Sequence, residues 1–203
     1  MNSKIGQLMD SRPSSAEIKK WLKKWGFPQR HIQKLDRMHG RSLEMAKKHL
    51  SRVLTGDLIF IVCGERGPGK TQMAAFWGQE TAFQLKRARY YKSHDFLCTI
   101  REQFDKDGHR SQKAREELHD AKKCHLLILD EWSELAGTDW EKRTMTNLID
   151  HRYDNLLATV IITNHTPAEA IKAVGDSIWN RSEETGGILV CNWKSYRKNQ
   201  NEV

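Results

Sequence analysis

The stretch "FIVCGERGPGKTQMAAF", residues 60–76, decides the fold. An apolar run that suits a strand buried on both faces ends at Cys63, and a helical pattern begins at Thr71. Between them the residues from Gly64 to Thr71 fit the pattern G-x-x-x-x-G-K-[ST]. Glycines let the backbone curl so that successive N–H groups point inward, and the following helix adds the positive end of its dipole. The break in the strand therefore predicts a cradle for phosphate groups.

The residues of this loop predict a site for ATP and Mg²⁺. We expect Lys70 to reach the β- and γ-phosphates and Thr71 to bind Mg²⁺ through its hydroxyl. A glycine-rich turn that ends in Lys-Thr by chance is the alternative, and the strand before it and the helix after it argue against that reading. The residues expected to contact the nucleotide are Gly64, Glu65, Arg66, Gly67, Pro68, Gly69, Lys70, Thr71 and Gln72.

Two further apolar runs end in polar residues. In "HLLILDEW" the run leads into Asp130 and Glu131, at the end of a strand where parallel sheets bind ligands. We expect Asp130 to hold Mg²⁺ and Glu131 to orient and deprotonate an attacking water; alone, such a run is equally typical of a strand-end turn. The run "ATVIITN" ends at Asn164, which could contact the γ-phosphate, position the water or cap the next helix.

The order of the elements predicts an α/β fold. Buried strand-like runs alternate with helical stretches from "DLIFIVC" to "GILVC". This alternation predicts a mostly parallel, doubly wound sheet. With the loop motif, we expect a P-loop NTPase whose five-stranded sheet lies in the three-layer α/β/α arrangement that the family resemblance described below implies. We divide the chain into a basic helical extension, residues 1–40, that contacts a partner or DNA, and an ATPase core, residues 41–203.

The extension contains a basic amphipathic helix, "SSAEIKKWLKKW". Ile18, Leu22 and two tryptophans, Trp21 and Trp25, share one face, and lysines cover the opposite face. The tryptophans could anchor a partner protein or pack on the core, and the sequence leaves both readings open.

The composition indicates a polyanionic partner. The chain has 203 residues and a formal net charge of +8, which favours nucleic acid or an anionic membrane surface. No run approaches the roughly 18 apolar residues of a transmembrane helix. The N-terminus lacks an apolar signal core, so we expect a cytoplasmic protein without a membrane contact. The four cysteines include no C-x-x-C pair, which favours reduced thiols over a zinc site.

Five stretches together resemble the AAA+ ATPases of the bacterial helicase-loader type, the DnaC and DnaI proteins, and their relative IstB, a transposition helper. The resemblance implies an AAA+ core without a C-terminal lid, which hydrolyses ATP and assembles head to tail with other copies. The partner would be a replicative helicase or a transposase. The stretches, within residues 41–197, are "GERGPGKT", "LLILDE", "NLIDHRYD", "IITN" and "SIWNRSEETGGILVCNWKSYR".

The resemblance also implies roles for residues outside the loop. Arg181 matches an arginine finger that completes the ATP site of a neighbouring copy, so hydrolysis should be slow in isolation; a helix C-terminal arginine that binds carbonyls is the alternative. Many loaders have a second arginine where this chain has Ser177.

The two predicted helices between "ARYYKS" and "HLLILD" correspond to the insert with which such proteins grip single-stranded DNA. Aromatic residues would stack on bases and cations would follow phosphates, but a core contact and a solvated face are the alternative explanations. The residues concerned are Phe104, Lys106, Arg110 and Lys113.

Three functions follow from these features. The leading one is a DNA-stimulated ATPase that acts as a helicase loader in DNA replication and assembles on single-stranded DNA. The alternative is an IstB-like transposition regulator that binds duplex DNA and recruits a transposase. A third is an adaptor that binds the nucleotide and hardly turns it over.

Overall fold

A computed structural model describes residues 12–101 and 112–196. Its helices and strands follow one another in an alternating order that begins with four helices. In chain order they are α1 (Ser15–Lys24), α2 (Gln29–Ile32), α3 (Gly40–Lys48), α4 (Leu50–Thr55), β1 (Ile59–Cys63), α5 (Lys70–Phe83), β2 (Ala88–Lys92), α6 (Ser93–Arg101), α7 (Gln112–Lys123), β3 (Leu126–Asp130), α8 (Asp139–Asp154), β4 (Ala158–Ile162), α9 (Pro167–Val174), α10 (Asp176–Thr185) and β5 (Gly187–Val190). Short 3-10 helices cover Leu35–Arg37 and Trp132–Glu134.

The five strands form one sheet in the order β2-β3-β4-β1-β5, and each neighbouring pair runs parallel. The predicted parallel, five-stranded α/β arrangement is therefore confirmed. The chain leaves β1 through α5 on one face of the sheet and leaves β4 through α9 on the other face. Because these two connections diverge, a crevice opens at the carboxyl ends of β1 and β4, where sheets of this kind bind ligands.

Two hydrophobic clusters cover the two faces of the sheet. Phe60 and Val62 belong to the cluster under α1 to α5, whereas Ile59 and Ile61 belong to the cluster under α6 to α10. Successive side chains of a strand alternate between faces, so β1 contributes to both clusters. Every residue of β1, β3 and β4 is buried, which explains why these strands appear in the sequence as unbroken apolar runs.

The N-terminal helices pack on the same core as α5. α1 begins at a capping box formed by Ser14 and Glu17, and it buries Ile18 and Leu22. Trp21 and Trp25 stack with their ring centroids 6.1 Å apart and pack against this cluster, each partly buried. Among the described residues, no helix has the length and apolar character needed to cross a bilayer.

The stretch "RSLEMAKKHLSRVL" forms two helices instead of the single helix that its periodicity predicts. The break lies at His49, whose backbone leaves the helical region with φ −97° and ψ 0°. The His49 ring packs on the ring of Phe60 at 4.9 Å between centroids. The bend at His49 thus places this ring on β1.

A buried arginine in the stretch "NLIDHRYD" joins three elements. The Arg152 guanidinium is fully buried and donates to the carbonyl oxygens of Ala121 at 2.7 Å and Cys124 at 2.9 Å, at the end of α7. It also donates to the Ala158 carbonyl and to the Thr159 hydroxyl in β4. Burial lowers the pKa of Arg152, but its several donors all face oxygen acceptors. Arg152 therefore fastens α8 to α7 and β4.

Candidate functional site

The loop between β1 and α5 has the curled backbone that its glycines predict. Gly64, Gly67 and Gly69 all have positive φ, at 124°, 110° and 96°. A side chain at Gly64 would collide with the carbonyl oxygen of Cys191, so this position requires glycine. Gly69 is the N-cap of α5, and no side chain among the described residues caps this helix end. The first N–H groups of α5 therefore face the loop, as an anion site requires.

The ammonium group of Lys70 lies inside the curve of the loop. Lys70 is only 5% exposed, and its Nζ donates to the carbonyl oxygens of Gly64 at 2.6 Å and Glu65 at 2.7 Å. A buried cation needs polar partners, and these two carbonyls supply them. The positive charge is thus held at the centre of the predicted phosphate cradle.

Thr71 and Asp130 meet at the carboxyl edge of the sheet. The Thr71 hydroxyl donates to Asp130 Oδ2 at 2.7 Å, and the Tyr90 hydroxyl donates to the same oxygen at 2.8 Å. Burial, with the nearby Asp130 carboxylate, raises the pKa of Tyr90, so this hydroxyl stays protonated and acts as a donor. Hydroxyl and carboxylate oxygens are ligands that Mg²⁺ prefers, so Thr71 and Asp130 fit a magnesium ion.

Glu131 follows Asp130 with a backbone conformation that is uncommon for a glutamate. Its φ is 56°, in the left-handed region, and its N–H donates to Asp130 Oδ1 at 2.7 Å. The Glu131 carboxylate forms an ion pair with Lys92 at 2.9 Å between Oε2 and Nζ. The hydrogen bond with Glu131 raises the pKa of Lys92. The predicted catalytic carboxylate is therefore paired with a lysine from the neighbouring strand.

Asn164 lies in a segment that borders the start of the phosphate loop. β4 pairs with β1, and the Gly64 N–H donates to the carbonyl oxygen of His165 at 3.0 Å. Asn164 lies between the end of β4 and His165, and it is half-buried. Its alternative role as the cap of the next helix is wrong, because Thr166 is the N-cap of α9 and forms a capping box with Glu169.

Arg181 lies on α10 and points toward α8. Its Nη1 donates to the carbonyl oxygen of Ser177 at 2.8 Å and to the Ser177 hydroxyl at 2.6 Å. Its Nη2 forms an ion pair with Asp150 at 3.1 Å, and its guanidinium lies 5.3 Å from the ring centroid of Tyr153. In the described ranges, these contacts join Arg181 to α8 and α10 and not to the loop of its own chain.

The residues predicted to contact DNA fall mostly outside the described part of the chain. Phe104, Lys106 and Arg110 lie outside the described residues. Lys113 is described, and it is exposed near the start of α7.

The segment that follows β5 wraps around the phosphate loop. Trp193 donates through its indole N–H to the carbonyl oxygen of Pro68 at 2.8 Å, and the Tyr196 N–H donates to the carbonyl oxygen of Gly67 at 3.1 Å. The Tyr196 hydroxyl accepts from the Ser42 N–H at 3.3 Å. The sequence gives no signal that this segment braces the loop.

A second contact joins the N-terminal helices to the site. His31 of α2 pairs through Nδ1 with Gln72 Oε1 at 2.9 Å, and Gln72 Nε2 donates to the His31 carbonyl at 3.0 Å. Burial lowers the pKa of His31, so a neutral ring is favoured. Gln72 directly follows Thr71, and its side chain is therefore fixed by α2.

Sequence reasoning also missed Tyr90 and Lys92. Both belong to "ARYYKS", and the register places Tyr90 beside Ile128 and Lys92 beside Asp130. In the sequence, their only signal is that an aromatic residue and a lysine stand near the end of the strand-like stretch that becomes β2. That signal becomes useful only once the strand order is known.

Comparisons with known proteins agree with this geometry. Residues 26–202 match the family model described as "IstB-like ATP binding protein". The replicative helicase loader DnaC of Escherichia coli (strain K12) is 24% identical over 157 residues, which cover 77% of this chain and 63% of that protein. This chain thus aligns with less than two thirds of the length of that relative.

Solved structures share the fold at low sequence identity. The crystal structure of the DnaC helicase loader matches with a TM-score of 0.66 at 20% identity, over 80% of this chain and 99% of that chain. The replication initiator DnaA bound to AMPPCP and single-stranded DNA matches with a TM-score of 0.64 at 19% identity, over 79% of this chain and 50% of that chain.

Proposed function

The chain belongs to the family of IstB-like ATP binding proteins, and we propose that it is an AAA+ ATPase that acts on DNA as a helicase loader of the DnaC type. The observation that carries this proposal is the 2.7 Å hydrogen bond between Thr71 and Asp130, which brings together the two predicted Mg²⁺ ligands beside the loop that holds Lys70. Under this proposal residues 41–203 form the ATPase core, and residues 1–40 contact a partner or DNA.

The loop residues bind and orient the triphosphate. N–H groups of the loop and of the first turn of α5 would donate to the phosphates, apart from Pro68, which has no N–H, and Gly64, whose N–H is bonded to His165. The Lys70 ammonium exchanges two carbonyl partners for phosphate oxygens. Thr71 and Asp130 would hold Mg²⁺, which would neutralise part of the phosphate charge. Tyr90 keeps the Asp130 carboxylate in place through its hydrogen bond.

Glu131 serves as the general base of hydrolysis. It accepts a proton from water while the water oxygen attacks the γ-phosphorus; the bond to the β–γ bridging oxygen breaks and ADP leaves. The Lys92 ammonium must release the Glu131 carboxylate before this transfer, because the two side chains are paired at 2.9 Å. Asn164, next to the start of the loop, positions the water or contacts the γ-phosphate.

Arg181 supplies positive charge to the site of a neighbouring copy. Its contacts to Asp150 and Ser177 lie on α8 and α10, so its action on a phosphate requires a second chain. The guanidinium would exchange Asp150 for the transferring phosphoryl group, whose charge it stabilises. This arrangement supports a head-to-tail assembly in which hydrolysis is slow in the isolated chain.

DNA is the substrate on which such an assembly would act. The net charge of +8 suits a polyanion, and the DnaA neighbour of the same fold is described as bound to single-stranded DNA.

The family match also favours a second candidate function. The IstB-like model matches residues 26–202, which is more of the chain than the DnaC alignment covers, and an IstB-like regulator would bind duplex DNA and recruit a transposase.

Two experiments test these proposals. Calorimetry should detect Mg²⁺–ATP binding to the unmodified chain and a loss of binding in Lys70→Ala; an unmodified, folded chain that releases no heat would overturn the ATPase proposal. Affinity capture with Glu131→Gln held on ATP then separates the candidates. A replicative helicase in the eluate supports the loader, and a transposase supports the regulator.

A further inference from the structure

The positive charge of the chain is concentrated near its N-terminal helices. Residues 12–48 contain eleven Lys and Arg but only three Asp and Glu, an excess of eight positive charges. The whole chain has a formal net charge of +8, so the remaining residues balance to zero. All of these cations are exposed apart from Lys19, which is half-exposed. The basic character thus belongs to one region and not to the whole surface.

The lysines of α1 form two pairs of like charge along one side of the helix. Lys19 and Lys23 are four residues apart, as are Lys20 and Lys24, and like charges at this spacing repel each other. The one acid in α1, Glu17, is engaged with the N–H and hydroxyl of Ser14 at 2.8 and 2.6 Å. Lys23 and Lys24 lie in the last turn, where cations suit the helix dipole, but the repulsion within each pair remains. A bound polyanion would relieve this repulsion.

The lysines border a groove between α1 and α2. The groove has a volume of about 330 Å³. Side chains of both helices line it, and none of its lining residues is acidic: Lys19, Lys20, Lys23, Gln29, Ile32 and Gln33, together with Ala16. Lys19 also contacts Asp36 at 2.8 Å, but both side chains are partly exposed, so solvent weakens this pair. Ammonium and amide donors in a concave surface suit phosphate oxygens.

We propose that the groove between α1 and α2 binds the sugar–phosphate backbone of a polynucleotide. This inference rests on the proposed DNA function and adds a specific surface to it. The groove is separate from the predicted DNA-binding insert between β2 and β3. A membrane surface fits less well, because an interfacial helix exposes apolar residues beside its lysines. Here Ile18 and Leu22 are buried, and Trp21 and Trp25 pack against the core.

One wall of the groove is connected to the nucleotide site through α2. Gln29 and Ile32 of α2 line the groove, and His31 of the same helix is hydrogen-bonded to Gln72 of α5. A backbone bound in the groove would therefore contact the helix that fixes Gln72, one residue after Thr71. α2 thus connects the groove to α5, the helix that contains Thr71 and Gln72.

The test compares two full-length triple variants that lose the same charge. The groove variant is Lys19→Gln, Lys20→Gln and Lys23→Gln; the control is Lys123→Gln, Arg143→Gln and Lys172→Gln, which removes exposed cations from α7, α8 and α9. Fluorescence anisotropy with oligothymidylate and with a duplex of equal length gives the affinity over a series of salt concentrations. Lysine and glutamine have similar helix propensities, so α1 should remain intact, and circular dichroism checks this.

We expect the groove variant to lower the slope of log affinity against log salt by about 2 for the single strand, since each lost phosphate contact contributes about 0.7. The control should keep the unmodified slope. An unchanged slope in the groove variant, or an equal fall in both variants, would overturn the groove as the site while leaving the DNA function in place. Absence of DNA binding by the unmodified chain would overturn both. Binding to phosphatidylserine vesicles but not to DNA would also overturn the proposal.

Discussion

Lys92 and Glu131 form an ion pair across the carboxyl ends of β2 and β3, with 2.9 Å between Nζ and Oε2. The ammonium holds one oxygen of the carboxylate, although both side chains are partly exposed and solvent weakens the pair. The pairing therefore links the position of β2 to the position of the Glu131 carboxylate, the predicted general base. In the sequence the two residues are far apart, and nothing in either motif connects them.

The variant Lys92→Met should raise basal ATP turnover several-fold. The methionine keeps much of the side-chain volume but removes the ammonium that holds Glu131. Steady-state phosphate release measures the change. Calorimetry should show an ATP affinity within about a factor of two of that of the unmodified protein, a difference in binding free energy well below the 1.4 kcal/mol that corresponds to tenfold. Turnover that falls with unchanged affinity would instead show that Lys92 positions Glu131 for catalysis.

The hydroxyl of Tyr90 should matter for the metal more than for the nucleotide. Tyr90→Phe removes the donor to Asp130 Oδ2 and leaves the ring in place. We expect the Mg²⁺ concentration for half-maximal ATP binding to rise several-fold, while ATP affinity in EDTA stays unchanged. Calorimetry over a Mg²⁺ series measures both quantities.

Tyr91→Phe is the matched control for this experiment. Tyr91 is the next residue of β2, and its hydroxyl donates to Glu117 on the other face of the sheet. Its loss should leave the Mg²⁺ dependence unchanged. Equal shifts in the two variants would mean that the effect comes from β2 as a whole and not from the hydrogen bond to Asp130.

The sequence predicts part of this site because motifs place residues at strand ends. Thr71 and Asp130 each follow an apolar run, and parallel strands bring their carboxyl ends to one edge. Tyr90 and Lys92 could not be assigned in this way, since their roles depend on the strand order β2-β3-β4-β1-β5. Strand order is set by the packing of the whole sheet and leaves no local pattern.

Two other features were hidden for a similar reason. The hydrogen bonds between His31 and Gln72 depend on how α2 packs on α5, which periodicity does not specify. The helix break at His49 occurs inside a continuous helical pattern, where the contact of its ring with Phe60 outweighs local propensity. Tertiary contacts decide both features.

Arg152 should be important for stability rather than for catalysis. Arg152→Leu leaves the carbonyls of Ala121 and Cys124 and the hydroxyl of Thr159 without their donor. We expect a loss of about 3 kcal/mol in the free energy of unfolding, because each unsatisfied buried acceptor costs about 1–3 kcal/mol and the new apolar side chain offsets part of this. Urea unfolding followed by circular dichroism measures it.

An exposed arginine of the same helix supplies the control. Arg143→Leu should change the free energy of unfolding by no more than about 0.5 kcal/mol, as is usual for surface positions. If Arg152→Leu were equally mild, the buried hydrogen bonds of Arg152 would contribute little net stability.

The cysteines should differ sharply in their reactivity. Cys98 is exposed, whereas Cys63, Cys124 and Cys191 are buried. Burial raises the pKa of Cys191 to about 12 and also raises the pKa values of Cys63 and Cys124. A raised pKa means less thiolate at a given pH, so these three thiols stay protonated at pH 8, and thiolate is the reactive form.

A thiol-reactive dye at pH 8 should therefore label one of the four cysteines of the folded chain and all four in urea. Mass spectrometry locates the label, which we expect on Cys98. Cys98→Ser should abolish fast labelling of the folded protein. Rapid labelling of Cys191 in the folded state would show that the segment after β5 opens readily from the phosphate loop.

Arg181 provides the sharpest test of assembly, because its described contacts join it to α8 and α10 and not to its own phosphate loop. Lys70→Ala and Arg181→Ala chains should each be nearly inactive as ATPases. In a mixture, an Arg181→Ala chain keeps an intact loop and can receive the arginine of a Lys70→Ala neighbour. We expect equal parts of the two variants to recover up to about a quarter of the unmodified turnover on DNA, if copies mix at random and Arg181 acts only on its neighbour. Steady-state phosphate release measures the recovery, and Lys70→Ala mixed with itself is the control. A mixture no more active than its components would place the action of Arg181 within its own chain or remove it from catalysis.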